Sequence, residues 1–164
     1  MSRISWSPVL ALSVALGCAG KGEEDPAEHA CEAVEAGGAA LDAAEAPEDA
    51  PGIEIGEEGY VVTLPASGTG YVHVDVAEAA DALLFLDTAD VLTAIAHDGV
   101  DEGLPTPSPN EFCEDALPEH FDLALEPGEW TFTLGPSAAT EVWLLLISAE
   151  GHGHGDEGDD HDHE

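Results

Sequence analysis

The sequence has almost no positive charge. Its 164 residues hold two Lys or Arg against 36 Asp and Glu, a formal net charge of −34 with histidine neutral. The two cations are Arg3 and Lys21, and nothing after Lys21 carries a permanent positive charge. Such a chain repels nucleic acid and anionic lipid, so nucleic-acid binding is excluded, and it attracts cations. It also repels itself, so salt or divalent ions are expected to help it fold. A salty habitat selects the same composition. Long hydrophobic runs are missing too. Residues 9–16 (VLALSVAL) are apolar but fall well short of the about 20 that cross a bilayer. There is no Gly-x-Ser-x-Gly, no His-Glu-x-x-His and no phosphate loop, so the chain is not expected to be an enzyme. The length bounds the body to one domain.

What is present begins with three cysteines, Cys18, Cys31 and Cys113. Arg3 followed by the apolar residues 9–16 has the length and order of a secretory signal. The signal ends in Ala15-Leu16-Gly17-Cys18, which resembles a bacterial lipobox, departing from it at Ala15 where leucine is usual. That resemblance implies a signal peptide over 1–17 and a lipid-modified Cys18 as membrane anchor. Ala19 is not the aspartate that often retains lipoproteins at the inner membrane. An outer-membrane lipoprotein of the bacterial cell envelope, facing the periplasm or the surface, is therefore expected. Cys31 and Cys113 then remain, and outside the cytoplasm a disulfide is the default. The alternative is a thiolate metal site with His29, because His29-Ala-Cys31-Glu32 gathers several donors.

Residues 18–52 read as an acidic spacer. Within it a short helix is expected over 27–36, opened by Asp25-Pro26 and closed by Gly37-Gly38. Pro47 and Pro51 mark the boundary with a body over 53–150. There, apolar and polar residues alternate with the period of half-buried strands. Val72, Val74 and Val76 oppose Tyr71, His73 and Asp75; Phe121, Leu123 and Leu125 oppose His120 and Asp122; Trp130, Phe132 and Leu134 oppose Thr131 and Thr133. Residues 142–147 (VWLLLI) are apolar on both faces, as a central strand would be. Further strands are expected over 60–64, 83–86 and 91–96, although the alanines and leucines of 76–86 also suit a helix. About seven strands separated by turns predict an all-β fold, a small antiparallel, jelly-roll-like sandwich flanked by a disordered spacer and tail.

Two family resemblances attach to these residues. Phe121-x-Leu-x-Leu-x-Pro-Gly-x-Trp130-x-Phe-x-Leu resembles the closing strands of pre-peptidase C-terminal-like sandwich domains. This implies a small binding or spacer module and no catalysis. More of the chain is similar to a family of uncharacterised bacterial lipoproteins. The similarity rests on His29-Ala-Cys31-Glu32, Gly70-Tyr71-Val72, residues 83–87, the lone Cys113, the turn Pro127-Gly128-Glu129-Trp130 and a His/Asp tail. It implies an architecture and a location, and no activity.

The tail, residues 151–164 (GHGHGDEGDDHDHE), has no apolar residue and stays solvated. It carries two His-x-His pairs, His152/His154 and His161/His163, among carboxylates that include Asp159, Asp160 and Asp162. Imidazole with carboxylate suits divalent transition metals, Zn²⁺, Cu²⁺ or Ni²⁺, with affinity peaking at Cu²⁺. The expected function is to bind or buffer such ions at the envelope, with a metal transporter or another envelope protein as partner. The alternative is a structural or interaction module whose sandwich binds a protein or glycan, the tail being only a solubilising segment. His73 beside Asp75 is either a second metal site or a hydrogen-bonded surface pair, and His97-Asp98-Gly99 reads as a turn.

Overall fold

The computed structural model of the chain describes residues 25–149. Ten strands form two sheets. The first has the order β1-β2-β10-β4-β8-β7 and the second β3-β9-β5-β6. The strands are β1 (Ala39–Asp42), β2 (Tyr60–Thr63), β3 (Gly70–Val76), β4 (Ala80–Leu86), β5 (Leu92–His97), β6 (Val100–Asp101), β7 (Ser108–Pro109), β8 (Glu119–Leu125), β9 (Gly128–Leu134) and β10 (Glu141–Ser148). All pairings are antiparallel except β1 on β2. The expected sandwich is what forms. All seven expected strands are there, and the ambiguous stretch after Val76 is strand β4. Its Leu84 and Leu86 point into the space between the sheets while Phe85 points out.

The main core lies between the sheets. Val72, Val74 and Val76 of β3 and Trp130, Phe132 and Leu134 of β9 meet Val142, Leu144 and Leu146 of β10 and Phe121 and Leu123 of β8. Burial of these side chains is the principal driving force, at about 1.5–3 kcal/mol for each large one. The opposite face of β10 is buried as well, which explains its unbroken apolar run. Trp143, Leu145 and Ile147 form a second cluster with Phe85, Leu117 and Ala30. This outer cluster is roofed by the helix α1 (Pro26–Ala36) and by the turn around Cys113.

The domain boundary moves as a result. From Asp25 onward, the segment expected to be a disordered spacer is part of the fold. Asp25 caps α1 through its carboxylate on the Ala27 amide, and Pro26 occupies the first turn. Ala27, Ala30 and Ala33 lay the helix on the sheet, where small side chains allow close approach. After Gly37 and Gly38 the chain pairs as β1 on β2, in parallel register from Ala39 opposite Tyr60. It then crosses to the other sheet. Ala44 bridges Tyr71, and Gly52 bridges His73. Residues 44–53 thus form a strap along the outer edge of β3, so one continuous segment covers an edge of each sheet. Across the sandwich the remaining edges, β6 and β7, are two residues long, and β7 ends in Pro109. Short strands and proline both discourage edge pairing with other chains.

Cys31 and Cys113 form the disulfide, with Cα atoms 5.9 Å apart. It ties α1 to the turn beside it, over the outer cluster. Asn110 is fully buried there. Its amide nitrogen faces both sulfurs, 3.6 Å from Cys31 Sγ and 3.5 Å from Cys113 Sγ, and its Oδ1 accepts from the Phe112 amide at 3.0 Å. Both thiols are consumed, so the alternative thiolate site with His29 is not formed. No helix among the described residues is long and apolar enough to cross a membrane.

Candidate metal centre

The expected tail ligands, His152, His154, Asp159, Asp160, His161, Asp162 and His163, lie outside the described residues, as does the lipidation site Cys18. Inside the fold, the residue types that hold metals converge on the outer face of the four-stranded sheet. There, one ligand atom from each of His73, Asp75 and Glu129 lies within 4.8 Å of the others.

Strand periodicity and register build this group. His73 and Asp75 are two apart on β3 and share a face. Glu129 is directly opposite Asp75 on β9, in the register that pairs Val74 with Trp130 and His73 with Thr131. The turn between β5 and β6 holds the start of β9 in place. Asp98 and Gly99 both take positive φ, 49° and 78°, as a two-residue hairpin requires, confirming the expected turn. The Asp98 carboxylate then accepts from the Glu129 amide at 3.0 Å, and the Asp98 amide donates to the Glu129 carbonyl at 2.8 Å.

The strap supplies the rest. His73 Nδ1 lies 2.8 Å from the carbonyl oxygen of Ala50, and only a protonated Nδ1 can make that bond. In neutral imidazole Nε2 is therefore the bare nitrogen. It faces the Asp75 carboxylate at 3.7 Å, beyond hydrogen-bond range. The His73 side chain is 23% exposed and that of Asp75 80%. Gly52 passes beside the ring, and a Cβ there would come within 3.5 Å of Nε2. A groove of about 520 Å³ opens at this point, lined in part by Gly52, Glu54, Asp75 and Glu78.

The other histidines are placed differently. His97 stacks on Trp130, ring centroids 4.5 Å apart and 7° from parallel, with its Nε2 3.2 Å from the Pro127 carbonyl. It packs the hairpin. His120 was expected on a solvent face but is half-buried, 5.2 Å from the Phe85 ring, because the outer layer covers that side of β8. Sequence reasoning paired His73 with Asp75 but missed Glu129. Its participation depends on a cross-strand register between residues 54 positions apart, and only the turn Pro127-Gly128 hints at where β9 begins.

No protein-family model matches the chain, and no curated protein matches it.

Proposed function

We propose that this is a lipid-anchored protein of the bacterial outer membrane that binds or buffers divalent transition-metal ions through residues 151–164, with the sandwich as its rigid carrier. The observation that carries the reading is the pair of His-x-His units in a glycine-rich, carboxylate-rich tail. Two such units in one glycine-rich segment offer enough imidazoles to share one ion, and the absence of thiolates makes the binding labile. The Cys31–Cys113 disulfide fits an oxidising compartment outside the cytoplasm. The lipobox-like Ala15-Leu16-Gly17-Cys18 supplies the anchor, so Cys18→Ala should leave the membrane fraction.

The deciding experiment is a calorimetric Zn²⁺ and Cu²⁺ titration of the full chain and of a chain lacking residues 151–164. Most of the binding should go with the tail, while the circular dichroism of the sandwich persists. Unchanged stoichiometry and affinity without the tail would refute the proposal.

A further inference from the structure

We propose that His73, Asp75 and Glu129 bind one divalent transition-metal ion on the outer face of the four-stranded sheet, independently of the tail. Four observations support this site. The donor set mixes one imidazole with two carboxylates, a combination suited to Zn²⁺ and its neighbours and, through the nitrogen, unlike the all-oxygen sites that favour Ca²⁺ or Mg²⁺.

The imidazole is preset. The Ala50 carbonyl, outside the cluster, takes the Nδ1 proton and leaves Nε2 as the ligand atom. A backbone or carboxylate partner on the other ring nitrogen is the usual support of a metal-bound histidine. The spacing also fits an ion better than a hydrogen bond. Two ligands each about 2.1 Å from a tetrahedral Zn²⁺ are about 3.4 Å apart. Nε2 and the Asp75 oxygen are 3.7 Å apart, so a small side-chain movement brings both onto one ion.

Finally, Asp75 and Glu129 are like charges directly across two paired strands, an arrangement that destabilises a sheet. Residues 25–149 contain no lysine or arginine, so among the described residues only a protonated histidine can offset that repulsion, and a cation from solution is the other source. An ion here would join β3 to β9 and, through His73, hold the strap at Ala50. The groove beside Gly52 leaves coordination positions open to water, so the site is exchangeable rather than closed.

The test uses the full chain with His152, His154, His161 and His163 all changed to Ala, which removes the tail imidazoles. Titrated with Zn²⁺, this chain should retain one site and melt at a higher temperature when loaded. With Co²⁺ it should give the visible bands of a low-coordinate ion. Adding His73→Ala should weaken binding by more than the about 10–100-fold typical of lost outer supports. Glu129→Gln keeps the side-chain shape and guards against misfolding. It should raise the metal-free melting temperature and abolish the Zn²⁺-induced rise.

No Zn²⁺ binding by the tail-substituted chain, or binding that survives His73→Ala, would overturn the site. So would displacement of Zn²⁺ by millimolar Ca²⁺, which would mark an unselective acidic patch. None of these results bears on the tail, whose removal is tested separately.

Discussion

The indole nitrogen of Trp143 donates to the carbonyl of Gly37 at 2.9 Å, joining the centre of β10 to the end of α1 across the outer face of the sheet. Space for that indole comes from Gly59. A Cβ there would overlap the Trp143 ring, and a Cβ at Gly38 would in turn meet the Gly59 carbonyl. Two glycines, Gly37 and Gly59, therefore meet one tryptophan where the helix turns into β1, and Gly38 packs against Gly59. Gly59→Ala is expected to cost about 1–3 kcal/mol by overpacking. Trp143→Phe, which keeps an aromatic ring but loses the donor, should cost about 1 kcal/mol from the hydrogen bond, with a further loss from the smaller volume. Urea unfolding followed by far-ultraviolet dichroism measures both. A neutral Gly59→Ala would mean that the indole has other room to move.

The disulfide should matter more than either substitution. It closes a loop of 82 residues, for which chain-entropy reasoning gives about 4 kcal/mol. The loss falls first on the outer layer, since α1 and the turn at Cys113 meet at that bond. Reduced protein, or the pair Cys31→Ser and Cys113→Ser, should bind a hydrophobic dye at the uncovered faces of Trp143, Leu145 and Phe85 before the inter-sheet core melts. A single transition at the same urea concentration, with and without reductant, would contradict this.

The legible and the illegible parts of this chain differ in physical kind. β3, β8 and β9 alternate apolar with polar residues because only one face of each meets the main core; the other face carries polar side chains, even where it is partly covered, as at His120 and Thr131. β10 reads as central because both its faces are covered. Residues 25–52 were expected as a spacer because what holds them in place leaves little trace in the sequence. Ala27, Ala30 and Ala33 pack through their smallness. β1 is Ala-Ala-Leu-Asp, and the strap is held by backbone hydrogen bonds such as Ile53 to His73 at 2.7 Å. Likewise β6 and β7 are too short for any period to show. At the candidate site, His73 and Asp75 were visible as a local pair. Glu129 and the Ala50 carbonyl come from distant pairing.

Salt should stabilise the fold. The described residues have only histidine as a possible cation, so exposed carboxylates such as Glu54, Glu78 and Asp81 interact mainly with one another. The screening length is about 8 Å at physiological ionic strength and about 3 Å at 1 M. The melting temperature should rise with NaCl over that range in metal-free buffer. Glu129→Gln, which removes one side of the cross-strand repulsion with Asp75, should show a smaller rise. A melting temperature that falls with added NaCl would mean that the carboxylates are spaced widely enough not to repel.

The pH dependence of metal binding separates the tail's imidazoles from its carboxylates. A metal ligand must be deprotonated, so protons compete with the ion for each group. Aspartate and glutamate ordinarily titrate near pH 4, histidine near pH 6.5. Binding by carboxylates alone should therefore be nearly flat between about pH 7.5 and about pH 5.5. Binding that needs imidazoles should weaken through the same window, approaching about tenfold per pH unit for each imidazole that must shed a proton. With His73→Ala as background, to silence the sandwich site, Zn²⁺ affinity should fall steeply on acidification and Cu²⁺ should bind more tightly than Ni²⁺ or Zn²⁺. Changing His161 and His163 to Ala should flatten the profile by removing two of the four imidazoles in residues 151–164. A profile that is flat to begin with would assign the tail's binding to Asp159, Asp160, Asp162 and their neighbours, and would remove histidine from the account of what this segment does.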